Sequence, residues 1–379
     1  MNGDVSPPPL KRRRIEGSVV ERTSTGIDED EISIYSWNVN GIAPFVQRTI
    51  TSFFQAGAVA TEQSSKATKA SLRDFLRRHK WPTLLFLQEV KINPDDATTI
   101  RAVQQAVKRQ SNELLDSPDY EAHFCLPSDK YNARGFGRKI YGVCSIVRKD
   151  FAEQFVERIR SVSWDLEGRV LVVETKARGG VPKLAIINIY AVNGTDHPYK
   201  DPVTGEAVGS RHDRKLQVHA LLQKECRELE AAGACVILAG DLNIARAPID
   251  GFPNLRTFPK QHCLNRADFE ARFLSPKKEL LSVKKATAKE AGQKDDAASL
   301  EMLDTFRHLH PDQKSYTYYP RTRTFGESCD RVDLILISKK LGASLVRAGM
   351  LETISERGPS DHVPLYACLD FRDREVGSE

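Results

Sequence analysis

The sequence predicts an α/β fold built from two packed β-sheets with helices on their outer faces. Three observations carry this. Short runs rich in Val, Ile, Leu and Tyr recur along the whole chain, in segments of strand length. Only a few segments show a helical period between them. No Pro/Gly/Ser-rich linker divides residues 31–370, which reads as one domain, 31–372.

Composition sets the outer bounds. The chain has 379 residues, 40% hydrophobic and 28% charged, enough for a sizeable core and unlike a collagen, a coiled coil or a wholly disordered chain. It contains no run of 18 apolar residues, so no membrane contact is expected, and its beginning has no apolar stretch suited to a secretory signal. The seven cysteines are odd in number and lack CxxC spacing, which points to a reduced compartment without a structural zinc site. A net charge of +5 permits a polyanionic partner without requiring one.

Residues 1–30 read as a disordered tail, rich in Pro, Ser, Gly and charge. Within it the basic run Lys11–Arg14 follows three prolines, a pattern that an import receptor can read, so a nuclear location is expected. Order begins near Glu31: Ile32 and Ile34 alternate with polar neighbours up to Trp37, and Asn38-Val39-Asn40-Gly41 closes the strand in a turn. Residues 51–68 read as a loose connection. Leu72, Phe75 and Leu76 mark a helix ending near Lys80, before a buried strand, Leu84-Leu85-Phe86-Leu87, that ends at Glu89. Further strands are expected at 140–147, 170–174, 184–190, 235–239, 332–337 and 363–369. A helix is expected over 213–231, with Val218, Leu222, Cys226 and Leu229 on one face and Gly233 beyond its end. Two stretches look inserted: 194–212, turn-rich and polar, and 275–299, which carries six lysines. No heptad pattern suggests self-association, and a monomer is expected.

The functional signal is positional. Apolar strands repeatedly end in acids, amides or an aromatic hydroxyl: Asn38 and Asn40, Glu89, Tyr190 then Asn193, Asp241 and Asn243. Asp333 opens one apolar run, and Asp361-His362 precedes the last. Each has a bland reading, since Gly-Asp and Asn-Gly are common turn dipeptides. If the ends share one rim, however, several carboxylates converge, and their repulsion calls for a neutralising cation. Oxygen donors from Asp, Glu and Asn suit a hard ion such as Mg²⁺ or Mn²⁺. A hard cation beside a His, a Tyr and amide donors meets the needs of phosphoryl chemistry.

Six ordered motifs then become recognisable: Trp37–Gly41, Leu87–Lys91, Asn188-Ile189-Tyr190 with Asn193, Gly240–Asn243, Arg331-Val332-Asp333 and Ser360-Asp361-His362. They resemble the endonuclease/exonuclease/phosphatase superfamily, and within it the abasic-site endonucleases of the exonuclease III type. The resemblance implies a four-layer α/β/β/α sandwich with two mixed sheets. It implies that Asn38, Asn40, Glu89, Asp241, Asn243 and Asp361 surround the metal ion, with Glu89 its principal ligand. In the same terms Tyr190, Asp241, Asn243, Asp333 and His362 form the catalytic set, and Lys91, Arg169, Asn193, Tyr318 and Tyr319 meet DNA. Asp241 takes the proton of the attacking water, Asn243 orients that water, and Asp333 orients His362 against the phosphate. The implied substrate is double-stranded DNA with an abasic site or a 3′-blocked end, cut 5′ to the lesion. Two departures stand out: Asn40 replaces an acid found in some members, and Asp330 replaces a Trp found in many. The alternatives are another phosphodiesterase of the superfamily, or a non-catalytic nucleic-acid-binding protein.

Overall fold

The structure is a computed structural model, and it describes residues 31–46, 70–133, 141–274 and 298–372. The expected tail 1–30, the connection 51–68 and nearly all of the insert 275–299 lie outside the described residues.

Two six-stranded sheets pack face to face. The first runs in the order Leu345–Met350, Leu365–Asp370, Glu31–Asn38, Leu84–Gln88, Val143–Arg148, Tyr120–Cys125. The second runs Leu303–Asp304, Asp333–Ile337, Cys235–Asp241, Leu184–Tyr190, Val170–Thr175, Val156–Ser161. Each sheet is mixed, with one parallel pair at its centre: Glu31–Asn38 beside Leu84–Gln88, and Leu184–Tyr190 beside Cys235–Asp241.

The apolar pattern follows from the layers. Side chains alternate between the faces of a strand. In Leu84–Gln88 the inward residues Leu84 and Phe86 join Ile32, Ile34, Ile186, Ile237 and Ile335 between the sheets. The outward Leu85 and Leu87 pack with Trp37, Phe75 and Val103, under helices Leu72–Arg78 and Ala97–Ala106. On the far side Ile187, Val236 and Leu238 meet Leu222, Cys226, Phe269 and Phe273 of helices Arg211–Ala231 and Gln261–Phe273. Strands covered on both faces therefore read as continuous apolar runs, and the result is the expected four-layer sandwich.

The expected helix over 213–231 begins two residues earlier, at Arg211. Its start is fixed by a capping box in which the Ser210 hydroxyl accepts from the Asp213 amide while Asp213 accepts from the Ser210 amide. The stretch 194–212 is not a bare loop: Pro198–Lys200 and Ala207–Ser210 pair as a short hairpin feeding that helix.

Near one end of the sandwich the inter-sheet contact turns polar. Gln88 donates to Asn188 across the interface (2.8 Å), and Asn188 donates to Cys144 O and Ser145 Oγ. All four residues are buried, and this polar layer lies one step before the strand ends that carry Glu89 and Tyr190.

Candidate active site

Strand register delivers the residues. Asp241 is paired with Tyr190 on one side and with Asp333 on the other, so three adjacent strands place these side chains in one row. In the first sheet Asn38 pairs with Gln88, which sets Asn38 and Glu89 at neighbouring strand ends. Strand ends at the carboxyl edge of a parallel pair are where open α/β sheets present polar groups.

Close approach at the second sheet depends on Gly240. A Cβ there would lie 1.8 Å from Ile189 O, so no side chain fits between the paired strands.

The turns that follow are held in uncommon backbone. Asn40, Glu89, Lys91 and Asn243 all have φ between 50° and 55°, in the left-handed region that non-glycine residues seldom occupy. Such positions persist only where surrounding structure enforces them, and they gather at functional sites.

The side chains form a linked set. Asn38 Nδ2 donates to Asp241 Oδ2 (3.0 Å) and Glu89 Oε1 (3.3 Å), while its Oδ1 accepts from the Asn40 amide. Asn40 Nδ2 donates to Asp361 Oδ1 (2.9 Å), and Lys91 Nζ donates to Asn40 Oδ1. Lys91 also pairs with Glu89 Oε2 (2.9 Å), and the Tyr190 hydroxyl donates to Glu89 Oε1. Burial pushes the Glu89 carboxyl up, but Lys91 and Tyr190 outweigh it and hold the group below its usual range. The Tyr190 hydroxyl is raised by burial and by Glu89 and stays protonated.

A second chain of contacts crosses the site. His362 Nδ1 is 2.7 Å from Asp333 Oδ2, and His362 Nε2 is 4.0 Å from Asp241 Oδ2. Burial disfavours charge on His362, but Asp333 overrides it and lifts the imidazole to about 10. The Asp241 carboxyl is raised, by burial and by the adjacent Asp333 charge. The loop holding His362 is anchored by Ser360, whose hydroxyl donates to Asn38 O (2.6 Å) and accepts from the His362 amide.

Glu89, Tyr190, Asn193, Asp241, Asn243, Tyr318, Asp361 and His362 line a single cavity of about 260 Å³. Asn38, Asn40, Lys91 and Asp333 stand behind this lining, through the bonds just given.

Two expected DNA contacts are placed elsewhere. Arg169 is 4% exposed: its Nε bonds Glu167, and its guanidinium lies 4.7 Å from the Tyr190 ring centre. It therefore supports Tyr190 from inside and does not reach the surface. Tyr319 is also buried, with its hydroxyl on Glu352 (2.6 Å) and its ring stacked on Phe325. Tyr318 does face the cavity, with its ring 5.0 Å from that of His362. The lining includes residues that sequence reasoning missed: Lys215, Arg256, His262, Asn265 and Arg266. None of them lies in a motif, so no sequence signal marked them.

Ligand-type atoms of Asp241, Asp333 and His362 lie within 4.8 Å of one another. The Asp333–His362 hydrogen bond already uses two of them. Glu89 and Asp361 are among the carboxylates that line the cavity, and their donor chemistry fits a hard divalent cation. Asn38 and Asn40 offer nitrogens, not oxygens, to these carboxylates, so they hold the acids in place. Asn243 likewise donates from Nδ2 to Ala191 O, and its backbone amide donates to Asp241 Oδ1 (2.9 Å).

Comparison with known proteins agrees with this geometry. A mouse (Mus musculus) protein named DNA-(apurinic or apyrimidinic site) endonuclease 2 is 28% identical over 356 residues, covering 89% of this chain and 60% of that protein. The chain thus spans about 60% of that relative's length. The AP endonuclease LMAP of Leishmania major shares the fold with a TM-score of 0.57 at 19% identity, over 96% of this chain and 92% of that one. The catalytic domain of Xenopus laevis APE2 gives a TM-score of 0.52 at 18% identity, over 89% and 93%. The model of the endonuclease/exonuclease/phosphatase family matches residues 35–362, and the chain belongs to that family.

Proposed function

We propose that this chain is a divalent-metal-dependent DNA repair nuclease that hydrolyses the phosphodiester 5′ to an abasic site, and that also clears blocked 3′ ends. The observation that carries this reading is the convergence of Asp241, the Asp333–His362 pair and the Glu89–Asp361 carboxylates on one cavity. The name of the mouse relative supports the choice of substrate.

Asp241 is the general base. Its raised carboxyl is a stronger base than an ordinary one, and it is fixed by bonds from Asn38 and the Asn243 amide. Asn243 orients the attacking water. His362 stays protonated across the physiological range, and its Nε2–H is free of a close partner, since 4.0 Å to Asp241 is too long for a hydrogen bond. That proton is available to a non-bridging phosphate oxygen. Asp333 fixes the ring and balances its charge, in the manner of a triad acid. The exposed Asn193 donates towards the phosphate, while the protonated Tyr190, whose hydroxyl donates to Glu89, holds that carboxylate in place. Tyr318 walls the pocket that receives the extrahelical sugar.

Glu89 and Asp361 would hold Mg²⁺ or Mn²⁺, steadied by Asn38 and Asn40; when bound, the ion neutralises charge on the phosphate. Water bonds to phosphorus, the bond to the 3′ oxygen breaks, and the products are a 3′-hydroxyl and a 5′-deoxyribose phosphate. We assign the chain a monomeric state and a nuclear location, reached through Lys11–Arg14.

The test is cleavage of a labelled duplex holding one tetrahydrofuran abasic analogue, with an intact duplex and EDTA as controls. A metal-dependent cut on the 5′ side of the analogue, which cannot undergo β-elimination, is the expected result. No cut by folded protein supplied with Mg²⁺ or Mn²⁺ would refute the reading.

A further inference from the structure

A buried lysine stands where an apolar residue is expected. On helix Arg211–Ala231 the stripe Leu222, Cys226 and Leu229 packs on the second sheet, and Lys215 continues that face one turn before His219 and three residues before Val218. Lys215 is 1% exposed, yet it borders the cavity that holds Asp241 and His362. Its Nζ donates to three backbone carbonyls: Val192 O (2.9 Å), Leu242 O (3.3 Å) and Asn243 O (2.9 Å). An ammonium has three protons, and here each has a carbonyl. Burial pulls the Lys215 ammonium down to about 7 and Asp241 acts against that pull, so the charge is kept at a cost that an apolar side chain would not bear. The helix that carries it is anchored as well: Arg211, one turn earlier, bonds Glu167 (2.7 Å), which also holds Arg169 behind Tyr190.

The three carbonyls belong to two loops that share the site. Val192 precedes Asn193, just past strand Leu184–Tyr190, while Leu242 and Asn243 follow Asp241 at the end of the neighbouring strand. The loops also touch through the Ala191 amide on Asp241 O (2.7 Å) and Asn243 Nδ2 on Ala191 O (3.0 Å). Carbonyl dipoles aimed at one point repel, and a cation bound to all three removes that repulsion. Asn243 sits in left-handed backbone at φ 52°, which persists only where contacts enforce it, and Lys215 supplies one such contact on its carbonyl. We infer that Lys215 is a positioning residue for hydrolysis: its ammonium clamps the Asn193 loop to the Asp241–Asn243 turn. The clamp sets Asp241 and Asn243, which act on the water, at a fixed spacing from Asn193, which meets the phosphate.

This inference rests on the hydrolytic reading of the site given above. Lys215 acts through the two loops and takes no proton from the water. In Lys215→Met the apolar stem is largely kept, but three carbonyls lose their common donor. The loops are then free to drift, and a misplacement of about 1 Å costs on the order of 10²-fold in rate. Lys215→Ala removes a propylammonium's worth of atoms beside the cavity, so propylammonium added to the solution has a route to the vacated space.

The experiment measures single-turnover cleavage of the tetrahydrofuran duplex, binding of that duplex, Tm, and the backbone amide NMR signals of Asn193 and Asn243 in isotope-labelled protein. Lys215→Met is expected to cleave about 10²-fold more slowly, to bind within a few-fold of wild type, and to shift or broaden both amide signals. Lys215→Ala should lose at least as much, and propylammonium should restore its rate by about tenfold or more. Tetramethylammonium at the same concentration, a cation without N–H donors, should not restore it. Should Lys215→Ala fail to fold, Lys215→Met decides by its split between rate and binding. Cleavage by Lys215→Met at the wild-type rate would overturn the clamp. Rate and binding that fall together with Tm, unrelieved by propylammonium, would make Lys215 a general support of the fold and overturn it too. Unmoved Asn193 and Asn243 signals in Lys215→Met would overturn it without reference to the reaction, whereas failure of wild type to cut the duplex would bring down the hydrolytic reading itself.

Discussion

His362 Nδ1 and Asp333 Oδ2 are 2.7 Å apart, and both residues are buried, Asp333 completely. This pair joins the loop before Leu365–Asp370 of the first sheet to the start of Asp333–Ile337 in the second. A buried ion pair of this kind is sensitive to pH and to the loss of either member.

The pH dependence has a definite sign. His362 moves from 6.5 to about 10 in the folded protein, so its pairing stabilises the fold fully below pH 6.5 and is lost as pH rises through 10. Thermal melts of wild type should therefore show falling stability over this window. In His362→Gln that part of the slope should vanish. An unchanged slope would mean that the imidazole is not charged in the native state.

Replacing the orienting acid should harm turnover more than binding. Asp333→Asn keeps the shape but removes the charge that fixes the ring, and kcat should fall by about 10²–10⁴ on the abasic duplex, the range typical of triad acids and positioned acid–base groups. Equilibrium binding of the uncut duplex should change little. A variant with near-normal kcat would remove Asp333 from that orienting role.

Glu89 carries the strongest expectation for the metal. Glu89→Gln leaves Lys91 and the Tyr190 hydroxyl without their carboxylate partner, and it removes one anionic oxygen donor. Activity should then require roughly tenfold more Mg²⁺ or above. A metal titration that overlays the wild-type curve would exclude Glu89 as a ligand.

Gly240 tests the packing beneath the site. In Gly240→Ala the new Cβ meets Ile189 O at 1.8 Å, which forces apart the parallel strands carrying Tyr190 and Asp241. Loss of several degrees of Tm is expected, or failure to fold, since overpacking typically costs about 1–3 kcal/mol. A variant as stable as wild type would show that the strands can separate without penalty.

Much of the site was legible because strand ends announce it. Asn38, Glu89, Asp241 and His362 lie next to apolar runs, and their order matches the register that unites them. The two misplaced residues show the limit. Tyr318 and Tyr319 are consecutive in extended backbone, where neighbours point to opposite sides, so only one of them can face the cavity. Arg169 carries a charge that suits DNA, but Glu167, two residues before it and buried with it, captures that charge, and the sequence does not show that both side chains turn inward. Strands Tyr120–Cys125, Val156–Ser161 and Leu345–Met350 escaped notice because they lie at or near sheet edges and carry exposed or half-buried charges such as Glu121, Arg158 and Arg347. Helix Gln261–Phe273 begins at Lys260 without a side-chain cap, so it lacked a start signal. It is also the helix that brings His262 and Arg266 into the cavity.

The most direct test of the account is Asp241→Asn on the tetrahydrofuran duplex, measured for single-turnover cleavage and for binding of the same duplex. The account requires metal-dependent cleavage on the 5′ side by wild type, a fall of about 10²–10⁴ in the cleavage rate of the variant, and binding within a few-fold. Cleavage by the variant at the wild-type rate would contradict it, because Asp241 is the group assigned to take the proton from water.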